Sequence, residues 1–204
     1  MFVEQLRIGN MDNFGYLVAD EDARIAAVID PSFDARPMQA SAARKRLQIT
    51  LILNTHGHYD HVFDNDRLAK DTAAKVAAHR LARVRKDISL EGGEVLNIGS
   101  IDLKVLHTPG HSPDACCFIA GDALFTGDTL FVGECGRTDL PGSDVEAMHD
   151  SLLNKLRGLD DDLTVYPGHD YGDRPFSKLG YEKKNNYTLK PRNLQEFIRF
   201  MREP

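Results

Sequence analysis

The chain has 204 residues, of which 42% are hydrophobic and 27% charged, and a formal net charge of −6. This size and balance predict one globular domain over residues 1–204 and exclude a disordered, collagen-like or disulfide-stapled chain. The acidic balance excludes non-specific nucleic-acid binding, which needs a positive field.

Three cysteines, two of them adjacent (Cys116, Cys117 and Cys135), form no disulfide framework and fit a reducing compartment. No apolar run approaches the ~20 residues needed to span a bilayer, so no membrane association is expected. Met1 to Gly9 lacks the basic and apolar regions of a signal peptide, which makes the cytoplasm the expected location.

Phe14 to Val18 and Ile25 to Ile29 read as short strands around the turn at Asp20 to Asp22, and Pro31 ends the second. Residues 35–47 predict a helix, and Ile49 to Leu53 a buried strand. Segments 64–72 and 79–86 predict helices, whereas 101–106, 115–120 and 122–126 predict strands. Ser143 to Glu146 matches a capping box with Ser143 as N-cap. It opens a helix whose apolar face is Val145, Met148, Leu152 and Leu156. Asn193 is placed to cap a last helix with the face Leu194, Phe197, Ile198 and Met201. Strands interleaved with amphipathic helices predict a mixed α/β protein with helices outside its sheets.

Chemistry concentrates after the strand ending at Leu53. His56, His58, Asp60 and His61 fall within six residues there. In an extended loop, residues two apart point the same way, so His56 and His58 can meet one cation. Asp60 and His61 follow as the chain turns into a helix and can meet a second. Imidazole suits zinc, iron, copper and nickel, and carboxylate extends the choice to manganese. Three more strand ends carry a Gly beside a His or Asp: Gly110-His111, Gly127-Asp128 and Gly168-His169. Seven ligands exceed one site of three or four but suit two sites bridged by Asp128. Two metals about 3.5–4 Å apart are a known way to make and aim a hydroxide.

Thr55 to His61, followed in order by His111, Asp128 and His169, resembles the signature of the metallo-β-lactamase superfamily. The resemblance covers nearly the whole chain. It implies a four-layer αβ/βα sandwich, two mixed β-sheets face to face with helices outside and metals at one edge. It further implies that His56, His58 and His111 hold one metal, that Asp60, His61 and His169 hold the other, and that Asp128 bridges. The bridging Asp128 points to the glyoxalase II group. Cys135 to Asp139 and His169 to Tyr171 are similar to both hydroxyacylglutathione hydrolases and persulfide dioxygenases, and make Arg137 and Tyr171 the expected substrate-binding residues. Arg137 suits bidentate recognition of a carboxylate.

The expected activity is thus metal-dependent hydrolysis of a small thioester such as an S-acylglutathione. A metal-bound hydroxide is the nucleophile, Asp60 and Asp128 are the catalytic carboxylates, and the cofactors are two divalent ions of zinc, iron or manganese. The alternative is a persulfide dioxygenase with one Fe(II) held by His56, His111 and Asp128, which oxidises glutathione persulfide. Asp30 is a candidate to orient a ligand histidine from behind. His107 and His149 read as packing and helix-surface residues, His79 has no assigned role, and Cys116 and Cys117 read as core.

Overall fold

The computed structural model describes residues 1–202. β1 (Phe2–Ile8), β2 (Asn13–Asp20), β3 (Ile25–Ile29), β4 (Gln48–Leu53), β5 (Lys75–His79) and β6 (Ile88–Leu90) pair in that order into one six-stranded sheet. β1, β2 and β3 pair antiparallel, and the pairs from β3 to β6 are parallel. The second sheet runs in the order β12 (Ser177–Lys178), β11 (Thr164–Pro167), β10 (Ala123–Gly127), β9 (Cys116–Ala120), β8 (Ile101–His107), β7 (Val95–Ile98). Its pairs are antiparallel except β10 with β11.

The two-residue side-chain period of a strand divides the apolar residues between faces. Tyr16 and Val18 point between the sheets, where they meet Val105, Phe118 and Phe125. Leu17 and Ala19 point outward, where they pack with Met38 of α1 (Arg36–Arg44) and Leu68 of α3 (Asn65–Thr72). On the far face, Leu124 and Val165 pack with Met148, Leu152, Leu156 and Phe197. These belong to the segment opened by α4 (Val145–His149) and to α6 (Leu194–Arg202). The result is the four-layer sandwich that the resemblance implies. Among the described residues no helix is long and apolar enough to cross a membrane.

Three local readings change. Residues 79–86 are not a helix. Their flanks bond sideways, with Arg80 N donating to Leu90 O at 2.8 Å and Asp87 N to Val76 O at 2.8 Å. Pairing between β5 and β6 thus takes the backbone groups that a helix would use. The N-cap of α4 is Asp144, not Ser143: its carboxylate accepts from Glu146 N at 2.8 Å and Ala147 N at 3.1 Å. Ser143 Oγ turns back to Leu140 O instead. The helix then widens into π-type turns over Asp150–Lys155 but keeps Leu152 and Leu156 buried. Asn193 does cap α6: its Oδ1 accepts from Glu196 N, and Glu196 accepts from Asn193 N, both at 3.0 Å.

Candidate metal centre

The site lies where β4, β8, β10 and β11 end. Each contributes residues just past its last pairing, so the rigid sheets fix the starting points of the loops that carry the candidate ligands. His58 is the N-cap of α2 (Tyr59–Val62), which carries Asp60 and His61. At two of the three later strand ends the glycine serves by its backbone, with φ at +149° in Gly110 and +48° in Gly127. Gly168 serves by its size. A Cβ there would collide with Asp128 Oδ1 and sit 3.0 Å from the His61 ring.

All seven predicted ligands converge. His58 Nδ1 lies 3.0 Å from His56 Nε2 and 2.9 Å from His111 Nε2, which makes one trio. His61 Nε2 and His169 Nε2 are 3.3 Å apart, each 3.4 Å from Asp60 Oδ2, which makes the second. Asp128 stands between them. Its Oδ2 is 3.6 Å from His111 Nε2 and 3.4 Å from His169 Nε2, and its Oδ1 is 3.4 Å from His61 Nε2.

The outer faces of the rings set their tautomers. His111 Nδ1 donates to Arg137 O at 3.0 Å and His169 Nδ1 to Met11 O at 2.9 Å. His61 Nδ1 donates to Asp30 Oδ2 at 3.0 Å. Thr55 Oγ1 gives its proton to Asp30 at 2.6 Å and so accepts from His56 Nδ1 at 3.1 Å. Four Nε2 atoms are thereby turned inward. Inward ring nitrogens and two carboxylates, with Asp128 Oδ1 buried and bare of hydrogen-bond partners, fit the donor chemistry of divalent cations.

The charges that the side chains impose on one another follow the same division. Burial keeps His56 well below the usual imidazole range, helped by the neighbouring His61, and burial with His111 lowers His58. Burial also opposes a charge on His61, but Asp128, Asp30 and Asp60 outweigh it and raise its pKa to about 9. His169 rises against burial to about 10 through Asp128 and Asp60. Burial would raise Asp128 and Asp60, yet the adjacent histidines hold both well below the ordinary carboxylate range.

The metallo-beta-lactamase superfamily model matches residues 11–169, which span all seven of these side chains. The chain belongs to the metallo-beta-lactamase superfamily. It is 40% identical over 179 residues to a hydroxyacylglutathione hydrolase of Polaromonas, an alignment covering 84% of this chain and 67% of that protein. It is 31% identical over 195 residues to the human mitochondrial persulfide dioxygenase ETHE1, covering 92% of this chain and 75% of that one. The crystal structure of ETHE1 from Myxococcus xanthus superposes with a TM-score of 0.94 at 32% identity, covering 100% of this chain and 91% of that one.

Within this superfamily site, the two expected substrate residues differ in placement. Tyr171 stacks on His169 with ring centroids 4.7 Å apart and is more than half exposed, so it forms an open wall of the second trio. The Arg137 guanidinium is also exposed, but it is paired with Asp139 at 2.5 and 2.6 Å. What Arg137 gives the centre directly is its carbonyl, on His111. Asp30 takes the orienting role on His61 and adopts a left-handed φ of 48° to do so, a strained backbone for a non-glycine residue. His79 and His107 stack 4.1 Å apart and belong to neither trio. His149 is not a free surface residue, since it donates to Arg192 O at 3.0 Å and packs on Phe197. All three cysteines are free and buried.

Asn13 was not marked by the sequence. It is fully buried and donates from Nδ2 to Asp60 Oδ2 at 2.8 Å. An Asn before an apolar strand carries no signal of such a partner 47 residues on.

Proposed function

We propose that this chain hydrolyses small thioesters of the S-acylglutathione type. His56, His58 and His111 would hold one divalent cation, Asp60, His61 and His169 a second, and Asp128 both. Zinc, iron and manganese all suit this mixed imidazole and carboxylate set. The observation that carries the reading is Asp128, whose two oxygens face both trios. Bound there, the cations supply Lewis acidity, which lowers the pKa of water and polarises a carbonyl oxygen.

The chain's own residues do the rest. Asn13 fixes Asp60, so Oδ2 stays aimed at the second trio and can accept a hydrogen bond from water there. Asp30, Thr55, Met11 and Arg137 hold the four outer imidazole N–H groups, so the inner nitrogens face the cations, and at His61 and His169 a cation would take the place of the inner proton. Tyr171 offers its exposed ring to the substrate. Arg137 offers a guanidinium to a carboxylate of the thiol carrier. A thiolate leaves readily without a dedicated general acid.

The full-length likeness to ETHE1 supports a second reading, oxidation of glutathione persulfide with one Fe(II) at His56, His111 and Asp128. One experiment separates the two. Purified protein is loaded with metal without oxygen and given S-lactoylglutathione or glutathione persulfide. Thiol release without oxygen and two metals per chain support hydrolysis. One iron per chain, oxygen uptake and sulfite from the persulfide overturn it in favour of the dioxygenase.

A further inference from the structure

The loop from Asp128 to Arg137 joins two members of the centre. Asp128 opens it, and the Arg137 carbonyl that orients His111 closes it. Inside, the loop folds on itself: Leu130 bridges Cys135, and Phe131 N donates to Glu134 O at 2.9 Å. Phe131 also packs edge-on against both His169 and Tyr171. At Gly136 the backbone runs so close that a Cβ would collide with Asp128 O and lie 3.1 Å from His111 Nδ1. Any shift of this loop therefore moves both ends of the Asp128–His111 contact.

The tip of the loop is tied to α5 (Leu179–Asn185) and the residue after it. Glu182 and Asn186, four apart and thus on one helix face, are each 1% exposed. Glu182 Oε2 accepts from Gly133 N at 2.8 Å. Asn186 Nδ2 is shared among Phe131 O at 3.2 Å, Glu134 O at 3.1 Å and Glu182 Oε2 at 3.0 Å. Asn186 is itself held, since its Oδ1 accepts from Thr188 N and Thr188 Oγ1 at 2.9 and 2.6 Å. Glu182 Oε1 is buried with no hydrogen-bond partner among the described residues. A buried carboxylate with one bare oxygen is a costly way to pack a helix on a loop. An apolar pair would serve packing alone; only acceptors and donors can fix the peptide groups of Phe131, Gly133 and Glu134 in place.

We propose that Glu182 and Asn186 are positioning residues of the metal centre. They act through the Asp128 to Arg137 loop and set the geometry of Asp128 and His111. The inference rests on the reading of the seven side chains as metal ligands.

The test measures zinc affinity of the whole protein by chelator competition, alongside Tm. The variants are Glu182→Ala, Glu182→Gln and Asn186→Ser, with Leu156→Ala as a buried control in the same apolar layer. Hydrogen-bonding residues behind metal ligands typically contribute about 10–100-fold to affinity. Because Glu182 and Asn186 act one loop further out, the expected result is a loss at the lower end of that range, about tenfold, in Glu182→Ala and Asn186→Ser. Glu182→Gln should recover most of it, because its amide oxygen still accepts from Gly133 N. Leu156→Ala should lower Tm and leave zinc affinity within about threefold of wild type. If Glu182→Ala does not fold, Asn186→Ser carries the comparison. Zinc affinity that follows Tm alike in all four variants, or no change in Asn186→Ser, would overturn the proposal. A wild-type chain that binds no zinc overturns the ligand reading with it, whereas unchanged variants of a zinc-binding chain overturn the positioning role alone.

Discussion

Asn13 holds Asp60 in the second trio: the two residues, on different elements, meet at 2.8 Å between Nδ2 and Oδ2. Asn13 begins β2 and bridges His169, so one residue ties an acid and a histidine of the same trio. Asn13→Ala should weaken metal binding by about 10–100-fold, as removal of a hydrogen bond behind a ligand usually does. Asn13→Asp places a second carboxylate against Asp60 and should do no better than Asn13→Ala. Chelator competition measures both, and two variants with wild-type affinity would remove Asn13 from the site.

Arg137 and Asp139 form an exposed pair, so a substrate carboxylate must displace Asp139 to reach the guanidinium. Arg137→Ala should raise KM with little change in kcat, since that binding is equal in ground and transition states. Asp139→Ala should lower KM by releasing the competitor. Steady-state kinetics with an S-acylglutathione decides. A KM that rises in both variants would mean that the pair, rather than the free guanidinium, shapes the substrate cleft.

The convergence of the seven candidate ligands was legible because side chains of metal-donor type are few in kind and here crowd at strand ends. His56 to His61, His111, Asp128 and His169 each follow an apolar run that the structure makes a strand. Residues that act through ordinary hydrogen bonds were not legible. Asn13, Thr55, Glu182 and Asn186 are common types, and their partners come from distant chain. The same limit explains 79–86: local spacing suits a helix, but pairing between β5 and β6, 9 residues apart from His79 to Ile88, claims the backbone. Asp144 prevailed over Ser143 because one residue of register is beyond what a capping pattern resolves.

Asp20 links the two sheets. It ends β2, and its Oδ2 accepts from Ser100 N and Ser100 Oγ in the turn between β7 and β8, at 2.8 and 2.7 Å. Ser100 and Ala23 hold its carboxyl down to about 2, below the ordinary 3.8. A carboxyl lowered in the fold stabilises it above its unfolded pKa and loses that contribution as pH falls through the folded one. Stability should therefore decline from about pH 4 toward about pH 2. Asp20→Asn should lower Tm at neutral pH and flatten that acid limb. An identical acid limb in the variant would assign the loss to other carboxylates.

Asp128 and His149 make the sharpest contrast within one chain, because both are titratable, both are hydrogen-bonded or packed, and only one faces the trios. Asp128→Asn removes the one negative charge shared between the two sets of imidazoles and replaces one oxygen by an amide donor that repels a cation. Each trio loses a ligand at the same time, so metal content should fall at both sites and turnover by more than about 100-fold, beyond the range of a hydrogen-bonding neighbour. His149→Ala removes one hydrogen bond to Arg192 O and an edge contact with Phe197. That should cost about 1–2 kcal/mol of stability and leave metal content and turnover intact. Metal analysis, Tm and kcat on the two variants give opposite patterns: loss of metal and turnover in Asp128→Asn, loss of Tm alone in His149→Ala. Loss of a single metal in Asp128→Asn would show that this carboxylate serves one trio only, and the shared-carboxylate argument for hydrolysis would go with it.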